Sequence, residues 1–187
     1  MSDPSAPVLT GDRVIAPLRE ARAPLYSGLR TLQVAAEAVT AGEPAAVALP
    51  ALDAALAYLD SQLLAYSRAE EFTLFPAVDG VIGQRGASLV MEAQHRTLVV
   101  MAGDLRTVVA AAHDARDAAA YSRYLLPLLH GLYALARAHL EAEDEVYLTL
   151  LDEHLSESQV GVVVDNLQRI ATNAPPPNQD APPAEGD

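Results

Sequence analysis

The stretch His139-Leu140-Glu141-Ala142-Glu143-Asp144-Glu145-Val146-Tyr147-Leu148 decides how this chain is read, because the chain carries it twice. The earlier copy, Tyr66-Ser67-Arg68-Ala69-Glu70-Glu71-Phe72-Thr73-Leu74-Phe75, lies 73 residues upstream. The same offset relates Arg22-Ala23-Pro24-Leu25 to His95-Arg96-Thr97-Leu98. Only the second half keeps metal-binding chemistry at the matched places. His95, His139 and Glu143 offer two imidazoles and a carboxylate, a donor set that suits non-haem iron with open positions. Opposite them stand Arg22, Tyr66 and Glu70.

Around these segments large apolar residues recur every three or four positions, the period of a helix with one buried face. The first stripe is Leu18, Arg22, Leu25, Leu29, Leu32, Ala36, stopped by Gly42-Glu43-Pro44. The second is Leu52, Leu56, Leu59, Leu63, Tyr66, Glu70, Leu74, ending near Pro76, and Gly80, Gly83 and Gly86 then mark a loop. The third is Met91, His95, Leu98, Ala102, Leu105, Val109, followed by a polar turn over 113–118. The fourth is Leu125, Leu128, Leu132, Leu135, His139, Glu143, Val146, Leu150. Ser156 with Gln159 forms a capping-box pattern that opens a short fifth helix to about Ile170.

The expected fold is therefore all-α: an antiparallel up-down four-helix bundle plus a short C-terminal helix. The duplication implies two helix pairs related by an approximate two-fold axis. Residues 1–11 read as a flexible lead-in, 12–172 as the helical domain, and 173–187 as a disordered Pro-rich acidic tail.

Composition agrees. A chain of 187 residues suits one domain, and 51% hydrophobic residues supply a core. Abundant Ala, no Trp and two Phe favour close-packed helices over sheets. A net charge of −13 argues against nucleic acid or an anionic membrane as partner. The absence of Cys excludes disulfides, Fe–S clusters and thiolate zinc sites. The N-terminal residues lack a signal-peptide pattern, and charged residues interrupt every apolar run before it could span a membrane. A cytoplasmic protein is expected. No phosphate loop or nucleophile elbow occurs, so a metal-binding or sensing protein is expected ahead of an enzyme.

His139 and Glu143, like Tyr66 and Glu70, stand at i and i+4, so each pair can reach one point inside a bundle. Such groups among leucines are costly to bury unless they are paired or bind a cation. His113, His130 and His154 fall off this layer by phase or by distance along the helix and read as surface residues.

The order of these residues resembles the hemerythrin-like, HHE cation-binding domain family, over about residues 13–152. Its members resemble each other in a His on the first helix, His-x3-Glu on the second, a His on the third and His-x3-Glu on the fourth. Glu70-Glu71 followed by Leu74-Phe75-Pro76 matches the second-helix signature, and His139 to Glu143 with Asp144 matches the fourth. The resemblance implies two irons bridged by two carboxylates, here Glu70 and Glu143, with His95 and His139 on one of them. The other iron would need His at positions 22 and 66, where this chain has Arg22 and Tyr66. Positions one turn along the third helix, where some members carry a further His, hold Met91 and Val99.

Three readings follow. The first is an atypical iron site, mononuclear or Tyr-modified, that binds or senses O2, NO or peroxide. His95, His139 and Glu143 would hold the ion, with Glu70 as a fourth ligand and Arg22 and Tyr66 around it. The second is a metal-free helical scaffold in which Arg22 replaces the metal's charge. The third keeps two irons with Tyr66 as a ligand. Tyr66 is expected either to hydrogen-bond the carboxylates or to ligate iron(III) as phenolate. The side chain at 22 separates the readings, because an inward Arg repels a second cation.

Overall fold

The computed structural model describes residues 14–173. The expected lead-in lies outside the described residues, as does the expected tail apart from Asn173, which closes the last helix.

The first bundle helix is α1 (Ala16–Thr40), with Pro17 in its first turn, where an N–H has no intrahelical partner. The Asp152 carboxylate accepts from the backbone N–H groups of Val14 and Ile15 at 3.1 and 3.3 Å. That contact pins the entry of α1 to the far end of the fourth helix.

The second bundle helix is longer than the sequence suggests. It runs through α2 (Ala45–Tyr58), a π-helical turn (Leu59–Leu63), α3 (Leu64–Phe72) and α4 (Leu74–Ile82). The expected end near Pro76 is corrected. Thr73 leaves helical geometry (φ −132, ψ −69), so Pro76 falls in the first turn of a restarted helix and breaks nothing. Gly80 is accordingly helical, and the stop is Gly83, whose positive φ of 71 forms the left-handed cap. By length and composition the run Ala45–Ile82 is apolar enough to cross a membrane, contrary to expectation. Its buried face, however, belongs to the bundle core.

The third bundle helix is α5 (Leu89–Ala115), and all six residues of its expected stripe are buried. The fourth is α6 (Ser122–Ala142), continued by a π-helical stretch (Glu143–Leu148) into α7 (Thr149–His154). Here Leu125, Leu132, His139 and Glu143 of the expected stripe are buried, but Leu128 and Leu135 are only half-buried and Leu129 and Ala136 take the inward places; beyond Glu143 the stripe slips by one residue. Tyr147, Leu148 and Leu151 are buried, whereas Val146 is 58% exposed. The wider π turn inserts one extra residue and rotates the inward face. Ser156 and Gln159 make the expected capping box, with Ser156 N–H donating to Gln159 Oε1 at 2.9 Å, and α8 (Glu157–Asn173) follows. It packs on α3 and α1.

Helix α1 lies against α2 and α6, and α5 against α6 and α2. The all-α bundle with a C-terminal helix is thus the fold observed. Its core is split. One cluster holds Leu25, Leu29, Leu98, Ala136 and Leu140, and the other holds Leu18, Leu74, Met91, Tyr147 and Val160. The positions between them, Arg22, Glu70, His95, His139 and Glu143, are buried and polar.

Close approach of α1 to the second helix depends on Gly28. A Cβ there would stand 2.1 Å from Cε2 of Tyr58. Tyr58 is 2% exposed, and its hydroxyl donates to Leu25 O at 2.8 Å, so the ring has nowhere to go. Gly28→Ala is expected to destabilise by about 1–3 kcal/mol through overpacking, despite the roughly 1 kcal/mol that Ala gains in helix propensity. Thermal denaturation checks this, and an unchanged or raised Tm would show that the ring can move aside.

Candidate metal centre

Four helices each bring a part of the polar layer. Arg22 comes from α1, Glu70 from α3, His95 from α5, His139 from α6, and Glu143 opens the π stretch of the fourth helix. None is more than 2% exposed. A π turn that begins at a bridging residue fits the frequent placement of such turns at functional sites.

One half of the layer is organised by Arg22, which points inward. Its Nη1 donates to Glu70 Oε1 at 2.9 Å. Its Nη2 donates to Glu143 Oε2 at 2.6 Å and to Leu140 O at 3.3 Å. Its Nε lies 3.1 Å from Asp144 Oδ1. Burial alone would lower the guanidinium pKa, but the fields of Glu143 and then Glu70 outweigh it and raise the value above the ordinary one. Arg22 is a permanent cation in the position that the resemblance assigns to a first-helix ligand.

The other half is a convergence of acceptors. His95 Nε2 and His139 Nε2 are 2.9 Å apart. Glu70 Oε2 lies 3.5 Å from His95 Nε2, and Glu143 Oε1 lies 3.3 Å from His139 Nε2. Ligand atoms of Glu70, His95, His139 and Glu143 all lie within 4.8 Å of one another, so the four could hold a metal ion. Each carboxylate is therefore divided, one oxygen to Arg22 and the other to the imidazoles.

The outer nitrogens fix the tautomers. His95 Nδ1 is 2.9 Å from Glu71 Oε1, and His139 Nδ1 is 2.9 Å from Gln94 Oε1. Glu71 can only accept and Gln94 presents its carbonyl oxygen, so in the neutral rings each Nδ1 carries the hydrogen and each Nε2 is left with a lone pair. Two lone pairs then face each other at 2.9 Å, beside a buried Glu143 Oε1 that accepts no hydrogen bond from the described residues. That arrangement is unfavourable unless a cation or a proton joins it, and its donor set fits a metal ion.

Protons supply part of that charge in the metal-free protein. Burial works to raise Glu70, but Arg22 and the two histidines hold it down at about 2. Burial, with Glu70 adding to it, pushes Glu143 up to about 7, and Arg22 offsets this only in part. Both carboxylates share one guanidinium, so the pair keeps one charge firmly and the second weakly. Burial would lower His95, yet Glu70 and then Glu71 outweigh it and raise its pKa.

Tyr66 is brought to the same layer, 7% exposed, but the expected hydrogen bond to the carboxylates is absent. Its buried hydroxyl has no hydrogen-bond partner among the described residues. Burial and the negative Glu70 raise its pKa in the metal-free chain. Gln94 serves His139 in the second half, and the residue 73 positions before Gln94 is Ala21, which has nothing to offer Tyr66.

Glu71 and Gln94 were not among the site residues expected from sequence, nor was Tyr26, whose hydroxyl donates to Asp144 Oδ2 at 2.6 Å. The repeat did carry a signal for one of them. Glu71 and Asp144 are 73 apart, as are Arg22 and His95, and each acid holds the matching residue. His113, His130 and His154 are exposed, as expected. A cleft of about 390 Å³ between α3 and α5, lined by Leu64, Glu71, Val99 and Val100 among others, reaches His95 from outside.

A family model described as the hemerythrin HHE cation-binding domain matches residues 25–151. That span takes in Tyr66, Glu70, His95, His139 and Glu143 and starts just after Arg22. No curated protein and no solved structure matches the chain.

Proposed function

The chain belongs to the hemerythrin HHE cation-binding domain family, and from that premise we propose that it holds one iron ion and one guanidinium where the resemblance implies two irons. His95 and His139 bind the ion through Nε2. Glu143 Oε1 completes a two-His, one-carboxylate set, with Glu70 Oε2 as the fourth donor. Arg22 occupies the other side of both carboxylates. The observation that carries this reading is the pair of Nε2 atoms 2.9 Å apart whose Nδ1 atoms both face acceptors. Iron(II) so ligated supplies open positions for a small diatomic such as O2 or NO, or for peroxide.

The chain's own residues prepare that binding. Arg22 neutralises one carboxylate charge and excludes a second cation. Tyr66 and Phe75, which stacks on His95 at a centroid distance of 5.1 Å, keep the layer dry. The cleft toward His95 admits a small neutral molecule. We place the protein as a cytoplasmic metal-binding or sensing protein rather than as an enzyme.

Cobalt(II), a spectroscopic substitute for iron(II), tests this directly. Titration into the metal-free chain is expected to give visible ligand-field bands that saturate at one equivalent. Bands that saturate at two equivalents, or none at all, would contradict the reading. Glu71→Leu and Gln94→Leu free the imidazole tautomers and should each weaken cobalt binding by about 10–100-fold. Unchanged affinity in both would separate the ring partners from the site.

A second reading has its own support. Arg22 ties α1 to α3 and to the fourth helix through three side-chain and backbone acceptors without any ion. A metal-free scaffold would use that layer as it stands. It leaves the opposed Nε2 atoms and the unbonded Glu143 Oε1 without a purpose.

A further inference from the structure

We propose that Arg22 sets the charge which the centre accepts: its guanidinium favours a divalent ion and raises the reduction potential of a bound iron. The inference rests on the single-ion reading above. Glu70 gives Oε1 and Glu143 gives Oε2 to the guanidinium, while Glu70 Oε2 and Glu143 Oε1 face the imidazoles. An ion on the imidazole side therefore has a fixed positive charge directly across two shared carboxylates. The layer is at most 2% exposed, so little water screens the two charges from each other.

The guanidinium cannot leave. It is held by Glu70, Glu143, the Leu140 carbonyl and Asp144 at once, and an Arg side chain does not deprotonate in proteins. The charge balance then selects the ion. Metal binding requires ionised ligands, so Glu70 and Glu143 contribute two negative charges, and Asp144, 3.1 Å from Arg22 Nε, adds a third against one from Arg22. A divalent ion brings the set to neutrality. A trivalent ion leaves a positive charge buried, which is costly. Glu71 is a further acid nearby, but it binds the far side of His95 and is 36% exposed, so water screens it. Oxidation of iron(II) to iron(III) releases one electron and moves no proton, so each fixed positive charge close to the ion opposes it.

A redox titration of the iron-loaded full chain, with mediators and with iron per chain counted by elemental analysis, tests this. Arg22→Gln keeps a hydrogen-bonding head and removes the charge. At a fixed potential its ratio of iron(III) to iron(II) is expected to rise at least tenfold, a fall of about 59 mV in midpoint for a one-electron couple. Asp144→Asn removes a negative charge from beside the same guanidinium and should shift the midpoint upward. Arg22→Lys keeps the charge and should stay within about threefold of wild type. A role in packing alone would move Arg22→Gln and Asp144→Asn in the same direction, or neither, and would overturn the inference. Where Arg22→Gln fails to fold or to load iron, the Arg22→Gln/Asp144→Asn double variant is compared with Asp144→Asn: a lower midpoint in the double variant supports the inference, and an equal or higher one overturns it. An iron-loaded wild type with an unshifted Arg22→Gln overturns this inference and leaves the single-ion reading standing. A wild type that binds no iron overturns that reading and this inference with it.

Discussion

Arg22→Met should lower the melting temperature of the metal-free protein more than any other single substitution in the polar layer. The side chain it replaces is 1% exposed, and its guanidinium pairs with Glu70 and Glu143, themselves 1% and 0% exposed. Met fills similar volume, so the loss is electrostatic rather than a cavity. Removing one partner of a buried ion pair leaves uncompensated charge and costs about 3–5 kcal/mol. For a domain of this size that corresponds to roughly 6–20 °C in Tm. The carboxylates will recover part of the loss by taking up a proton, as Glu143 already tends to. Adding Glu143→Gln to Arg22→Met should therefore restore part of the stability, because one of the two carboxylates left without a partner is then neutral while Glu70 remains. Thermal melts of the two single variants and the double variant check this. Strictly additive losses would mean that the three groups do not act as a unit.

The second large effect concerns metal. His139→Ala removes one of the two converging Nε2 atoms and also releases Gln94, which orients that ring. Loss of an outer partner costs about 10–100-fold in metal affinity, and loss of the ligand itself should exceed that. Bound metal after gel filtration is expected to fall to background, while the helical signal persists, because one of the two opposed lone pairs is relieved. Full retention of metal by a folded His139→Ala variant would sink the proposed ligand set.

Much of this is legible in the sequence because the bundle stripes and the ligand positions are the same positions. The three- and four-residue spacing of the surrounding leucines places Arg22, Glu70, His95, His139 and Glu143 inward, and all are buried. The 73-residue offset alone pairs Arg22 with His95. Two features escape such a reading. The π turns do not alter composition or spacing, so the one-residue slip that exposes Val146 and buries Tyr147 leaves no trace in the periodicity. Pro76 looks like a terminator because the non-helical Thr73, which makes it harmless, has no distinctive side chain. The ring partners Glu71 and Gln94 are hidden for another reason. They stand one position away from the inward stripe, where a polar residue reads as a solvated neighbour, and only the tertiary placement of α5 against its neighbours turns them toward the rings.

The proposed centre is one ion and one guanidinium sharing two carboxylates. Metal per chain, after expression with added iron under low oxygen, tests that most directly when wild type is compared with an Arg22→His/Tyr66→His double variant. One iron in the wild type and two in the variant is the expected result. Two irons in the wild type, or none, would contradict it.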